Sequence, residues 1–295
     1  MNIFSTILLF ALDSLLFANI LVLVSLGINA IYGILRILNV AHGAFITLGA
    51  YTAAITISAL YPFLGFAAIA AAVSFCAVLS IAMSYVLHLS VFSRLKNKLD
   101  YQQLLITFGL LLALEEVVVV VWGSSPIQAG NPLTILGSVN MFGLDYPLYN
   151  VFVIVGGTVC SVVVWLFIYR LKFGKTVRAV AFSYELASAM GVNIEKTFAA
   201  TLAFSMLLAF LAGALIVPIT SAIPGLGVDM LLLSFAVIVV GGLGSIKGAY
   251  IGSFIVAVTR SLAVTFLPRL ELVVIYLAVL VLLLIRPKGL VPPVE

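Results

Sequence analysis

Ionisable side chains are what this sequence has least of. Asp, Glu, Lys and Arg together make up 8% of its residues, about a third of the ~25% usual in soluble domains. From Ile37 to Ser93, 57 consecutive residues contain none of them. A water-soluble domain has no means of covering such a run, because its surface is built largely from charged and polar groups. Cysteine is scarce as well. Cys76 and Cys160 both fall inside apolar runs and read as small buried hydrophobes, so neither a disulfide framework nor a cysteine metal cluster is expected. His42 and His88 stand far apart, without the spacing or acidic neighbours of a metal site. Long polar stretches are missing too: the longest segments between apolar runs, 123–149 and 172–196, are too short to bury cores of their own. No separate soluble domain is expected, and residues 1–295 read as a single transmembrane domain. The N-terminus lacks a basic n-region and a small-residue cleavage site, so residues 6–32 are expected to be a retained span.

What is present is apolar sequence, 64% of the chain. Crossing a bilayer takes roughly 20 apolar residues in a helix, and breakers or charges divide the chain into runs at 6–32, 41–60, 64–92, 101–122, 150–170, 197–217, 229–244, 249–267 and 271–286, with a break at Tyr61–Pro62. The expected fold is an all-α, polytopic helical bundle of about nine spans, within a range of eight to ten. Basic residues sort onto alternate connections: Arg36; Arg94, Lys96 and Lys98; Lys172, Lys175, Arg178 and Lys196; Lys247; Arg286 and Lys288. Connections 123–149 and 219–228 have no Lys or Arg, and only Arg269 dissents. Because cytoplasmic loops carry the basic excess, the N-terminus is expected outside and the C-terminus inside. The net charge of +4 thus reports orientation and gives no ground for a nucleic-acid partner.

Four ionisable residues lie clearly within the predicted spans: Asp13, Glu115, Glu116 and Arg260. Each costs at least ~2.5 kcal/mol near mid-bilayer unless paired or hydrated. Counting residues from the cytoplasmic ends puts Glu115 and Arg260 at one depth, about 20 Å up, so Arg260 is expected to pair with Glu115 or Glu116, locking two helices or lining an outward vestibule. Residues 27–51 are richer in Gly and polar groups than a lipid-facing helix needs. Asn39-Val-Ala-His42-Gly43 reads as a loop or a mid-membrane break, and Asn39, His42 and Gly43 are candidates to line a translocation path, since interrupted helices mark polar routes through transporters. Close packing through small residues is the competing explanation.

Gly241-Gly242-Leu-Gly244-Ser-Ile-Lys247-Gly248 lacks the Gly-Lys-Ser/Thr order of a phosphate loop. It reads as a tight turn between two spans, with Gly241, Gly242, Gly244 and Gly248 supplying positive φ or close backbone approach. Between spans five and six, residues 176–190 predict an amphipathic helix, with Val177, Val180, Tyr184, Ala187 and Met190 at spacings of three and four and Gly191 ending it. Such a helix, lying on the cytoplasmic face, suits docking into a groove on a partner.

Within that segment Glu185-Leu-Ala187-Ser-Ala-Met-Gly191 resembles the Glu-Ala-Ala-x3-Gly coupling signature of ABC importer permeases, with Leu186 in place of the second residue. Three further blocks are similar to the branched-chain amino acid permease family of the Liv type: Tyr32-Gly-Ile-Leu-Arg-Ile-Leu-Asn39-Val-Ala-His42-Gly43-Ala-Phe, the 241–249 turn (with Lys247 where the family commonly has Pro), and Arg286-Pro-Lys-Gly289-Leu. Together they span residues 32–290. The resemblance implies the membrane subunit of an importer in a bacterial or archaeal cytoplasmic membrane. Its partners would be a second, related permease, two cytoplasmic ATPases that bind ATP and Mg, and an extracytoplasmic solute-binding protein. Arg178, Glu185, Ala187 and Gly191 would couple to the ATPases, and this chain would hold no cofactor and catalyse no reaction of its own. Leucine, isoleucine and valine are the implied solutes, with urea or short amides as alternatives. An ion-coupled secondary transporter using Asp13, Glu115 and Glu116 is the competing reading of another class.

Overall fold

The structure, a computed structural model, describes residues 3–35, 39–95, 98–129, 136–141 and 144–291; Arg36 and Lys96 of the basic set lie outside these. The long helices are α1 (Ile3–Leu35), α2 (His42–Leu64), α3 (Ala67–Leu95, with a π-helical turn at His88–Phe92), α4 (Asp100–Trp122), α5 (Leu148–Arg170), α8 (Ile194–Ile216), α10 (Ile246–Phe266) and α11 (Glu271–Ile285, preceded by the turn Pro268–Leu270). The shorter ones are α6 (Lys172–Phe182), α7 (Tyr184–Ala189) and α9 (Leu226–Gly241). A two-stranded hairpin, β1 (Ser138–Met141) and β2 (Leu144–Pro147), precedes α5. Among the described residues eight helices are long and apolar enough to cross a membrane, and α9, with 16 residues, is not. At ~1.5 Å per residue α9 is about 24 Å long, short of a ~30 Å hydrocarbon core.

Helices α1, α2 and α8 form the centre. Where α2 crosses α8, a Cβ on Gly213 would fall on the carbonyl of Ile46, and one on Gly49 would come within 2.5 Å of the Phe210 backbone. Small residues let backbones approach where lipid supplies no hydrophobic drive between helices. Asn19 clamps α1 to α5, donating from Nδ2 to the Ile154 carbonyl at 3.2 Å and to Thr158 Oγ1 at 3.1 Å. The outer members of the bundle are α4 and α11, whose most apolar stretches are 17% and 6% buried.

One boundary differs from expectation, and a second decides between a loop and a mid-membrane break. The predicted break at Tyr61–Pro62 is absent: α2 continues to Leu64 and ends at Gly65, whose φ is +52°. More consequentially, α2 does not begin at the end of the bundle. The imidazole of His42 lies against Gly27, eight residues before the end of α1, and against Ser205, eleven residues into α8. At ~1.5 Å per residue the start of α2 is therefore about 12–17 Å inside. Extended polar backbone is tolerated at such depth only where protein surrounds it, and Asn39, Ala41 and His42 are all buried.

Replacing Gly213 by Val is expected to separate α2 from α8 and destabilise the bundle by at least the roughly 1–3 kcal/mol typical of overpacking, seen as a lowered thermal midpoint in detergent. Gly109, with open space around its Cα, should accept Ala with a change below about 0.5 kcal/mol.

Candidate coupling surface and membrane-depth polar site

Residues 171–193 form a capping structure at one end of the bundle. Its helix is divided in two, because Ser183 is extended (φ −152°) and its hydroxyl accepts from the amide of Leu186 at 3.2 Å, capping α7. The amphipathic period carries across this break unevenly: Val177, Val180 and Ala187 are buried, whereas Tyr184 and Met190 are exposed. Ala187 packs with Val180, Val192 and Ile194, tying α6, α7 and α8 together. Gly191 ends α7 with φ +82°, donating its amide to Ser188, while the Val192 amide donates to Ala187. Phe182, Leu186 and Met190 are exposed at 69%, 62% and 84%, and Glu185 is exposed beside them. Leu186, the departure from the coupling signature, therefore faces outward and disturbs no internal packing. Arg178 lies over the Tyr169 ring at 4.7 Å, and Gly174 lets α6 fold back against the Ile168 carbonyl.

The glycine turn sits beside this structure. Gly242 and Gly244 have φ of +111° and +77°. A Cβ on Gly241 or Gly248 would fall on the other's backbone, so α9 and α10 touch there. Asn29 of α1 brackets the turn, accepting from the Gly244 amide and donating to the Ser245 carbonyl, both at 3.2 Å. The C-terminal block closes over it through Leu290 and Val291 amides donating to Val240 and Gly241 at 2.9 and 3.0 Å. Three sequence blocks that are far apart in the chain thus meet at one end of the molecule, next to α6.

The second site is internal. Helix α9 starts within the bundle, where a Cβ on Gly227 would fall on the carbonyl oxygen of Gly43, in the first turn of α2. Two helix N-termini meet here, each equivalent to about +0.5 charge. Glu115 of α4 supplies the balancing anion. Its Oε2 accepts from the Gly225 amide at 2.9 Å and its Oε1 from the Thr47 hydroxyl at 2.5 Å, and Thr47 Oγ1 in turn accepts from the Gly227 amide at 3.0 Å. The Tyr51 hydroxyl, one helical turn beyond Thr47, is fully buried and has no hydrogen-bond partner among the described residues; neither has the Asn39 amide. His42 Nδ1 lies 3.3 Å from Ser205 Oγ.

Depth counting placed Arg260 opposite Glu115 or Glu116, and the geometry corrects this. Arg260 Nε meets Glu271 Oε1 at 2.7 Å, Glu115 is engaged at α9, and Glu116 is exposed on α4. Depth leaves the rotation of a residue about its helix undetermined, and that rotation decides the partner. Asp13 accepts from the Tyr146 hydroxyl of β2 at 3.0 Å. Burial first, then the charge of Asp13, holds that phenol well above its usual range, so Tyr146 remains the donor at physiological pH.

A family model described as the permease component of branched-chain amino acid transport systems matches residues 10–284. The chain belongs to that family. Among its relatives, the high-affinity branched-chain amino acid transport permease LivH of Salmonella typhimurium is 27% identical over 283 residues, 92% of each chain. BraD of Pseudomonas aeruginosa, of the same description, is 27% identical over 289 residues, again 92% of each. The probable LivH of the archaeon Methanocaldococcus jannaschii is 28% identical over 272 residues, 86% of this chain and 80% of the relative. No solved structure matches the chain.

In this member of the permease family, the sequence marks Glu115 as a costly charge, a candidate partner of Arg260 and a candidate coupling acid, but not as an acceptor for the start of α9. Its partners, the Gly225 amide and the Thr47 hydroxyl that in turn accepts from the Gly227 amide, carry no signal of this pairing in the sequence. Glu115→Gln should remove both the balancing charge and one acceptor, costing about 1.5–3 kcal/mol as for other hydrogen bonds to charged groups. Glu116→Gln should stay within about 0.5 kcal/mol of the parent; thermal unfolding of the purified permease in detergent distinguishes the two.

Proposed function

We propose that this chain is the membrane-spanning subunit of an ATP-driven importer for branched-chain amino acids, residing in the cytoplasmic membrane with its N-terminus outside. The single observation that carries the reading is the exposed apolar surface of α6 and α7, bearing the coupling signature, on a chain whose family match covers almost its whole length. A solvated helix with no partner has no reason to expose Phe182, Leu186 and Met190 together around Glu185; a groove on a cytoplasmic ATPase gives one. Energy then enters through this surface from two ATPase subunits, which hold ATP and Mg. A second permease completes the membrane unit, and an extracytoplasmic binding protein selects and delivers the solute.

Force on α7 has a short route inward. Ala187 is packed against α6 and the start of α8, and α6 folds back on the end of α5 beside Asn29 and the glycine turn. A shift of α6 and α7 is thereby passed to α1, α8, α9 and α10 as rigid bodies, the usual form of alternating access. Asn39, His42 and Gly43, at the internal start of α2, are the candidate path. The Asn39 amide, unpartnered among the described residues, and the His42 imidazole offer a solute transient hydrogen bonds once the helices part.

Gly191→Val would force a β-branched residue to positive φ, and Leu186→Asp would charge the apolar patch. Each should reduce binding-protein-stimulated ATP hydrolysis at least tenfold while leaving the permease inserted and monodisperse; unchanged stimulation would refute the docking role. Cysteines at 145 and 175, at exposed positions, should label from the outside and inside respectively, and the reverse pattern would overturn the orientation. Uptake driven by an ion gradient, in vesicles holding this chain without ATPases, would establish a secondary transporter instead.

A further inference from the structure

At the end of the bundle opposite α6 and α7 lies a cavity of about 360 Å³ between the first half of α1, the start of α5 and the far ends of α8 and α10. That volume falls in the range of small-ligand sites. Its wall carries two opposite charges, Asp13 and Arg260, and an aliphatic surface from Leu9, Leu16, Ile20, Ile216 and Val264. Both charges are held in place by neighbours that leave binding capacity over. Tyr146 donates to Oδ1 of Asp13, and a carboxylate has roughly four acceptor positions. Glu271 meets Arg260 at Nε, so its two terminal amino groups remain available for the forked contact that a carboxylate makes. The guanidinium also rests on the face of Phe17 at 3.9 Å, and Phe17 lines the same cavity. A helix-locking ion pair accounts for Arg260 with Glu271. Asp13 stands in the field of Arg260 while bonded to Tyr146, and an ion pair by itself does not call for the open, aliphatic space that both residues line.

We propose that this cavity is a binding site for a free zwitterionic amino acid with an aliphatic side chain, the ammonium on Asp13, the carboxylate on Arg260 and the side chain against the Leu, Ile and Val wall. The assignment rests on the function proposed above and adds to it a place where the permease itself recognises the solute before passage. A phosphatidylethanolamine headgroup carries the same pair of charges, and the test separates the two sources.

The complete transporter, with its ATPases and second permease but without binding protein, would be placed in nanodiscs of phosphatidylglycerol and titrated with tritiated L-leucine. Saturable binding is expected, with 4-methylpentanoate and 3-methylbutylamine, which each lack one of the charges, competing at least tenfold more weakly. Arg260→Gln and Asp13→Asn should each weaken leucine binding at least tenfold. Val264→Trp, which fills the space and keeps both charges, should do the same, so the result does not depend on a variant that misfolds. Leucine binding unaltered in all three variants overturns the site. So does native mass spectrometry of discs containing phosphatidylethanolamine, should that lipid be retained by the parent, lost from the variants and exclude leucine. ATP-driven leucine uptake by the parent, measured alongside with binding protein present, keeps the two readings apart. Uptake together with binding indifferent to the variants removes the cavity alone, whereas absence of ATP-driven uptake of any amino acid removes the transport function and the site with it.

Discussion

Two helices begin inside this protein, and the contact that permits it is backbone on backbone at Gly43 and Gly227. In hydrocarbon an unsatisfied amide costs several kcal/mol, so a helix starting at membrane depth needs acceptors brought to it by neighbours. Glu115 and Thr47 bring them to α9. The arithmetic of charge agrees with the hydrogen bonds: two ends of about +0.5 each meet one carboxylate of −1. Either helix alone would leave Glu115 with an excess of charge, and without Glu115 the two ends would repel. Glycine at both positions and an acid on α4 are therefore parts of one device, although 180 residues separate the Thr47 oxygen from the Gly227 amide it accepts.

This arrangement gives the bundle an interrupted, polar centre. Helices that run the full thickness are held along their whole length by small-residue contacts such as Gly213 with Ile46. Where α2 and α9 begin, by contrast, the contact is short, polar and bordered by groups that have no hydrogen-bond partner among the described residues: the Asn39 amide and the Tyr51 hydroxyl. Buried polar groups without partners are costly, and natural proteins keep them mainly where the cost serves a function. The end of the bundle that carries α6 and α7 and this centre share α1, α8 and α9.

Much of the architecture was legible from apolar run length and from glycine. Eight of the nine expected spans have a counterpart long and apolar enough to cross, the ninth, 229–244, falling on the shorter α9, and the 172–196 segment, its C-terminal Gly191 and the 241–248 turn lie where local chemistry put them. What sequence could not supply was rotation and depth. Arg260 looked like a partner for Glu115 because both count to the same height, but the partner it found, Glu271, stood at a span boundary, where a charge needs no explanation. The divided coupling helix was hidden for a related reason: Val177, Val180 and Ala187 keep a helical period across Ser183, and only its capping hydroxyl marks the break. The internal start of α2 was suggested by Asn39, His42 and Gly43, yet its depth follows from Gly27 and Ser205, residues that advertise nothing by themselves.

The charged residues that remain sort by what surrounds them. Glu116 is exposed on an outer helix, six residues from the end of α4, within about 9 Å of its terminus, where a long side chain can reach the interface. Asp13 and Arg260 stand at the same end of the bundle, on helices α1 and α10 that pack along each other, and each is oriented by a residue outside the spans' apolar middles, Tyr146 and Glu271. Orientation by a fixed neighbour has a use where something must be met in a set direction. An ion pair whose role was only to join two helices would be satisfied by closing directly; here both charges line a common space together with Leu, Ile and Val. The chemistry of that space, one cation, one anion and an aliphatic wall, is complementary to the class of solute named in the family to which the chain belongs.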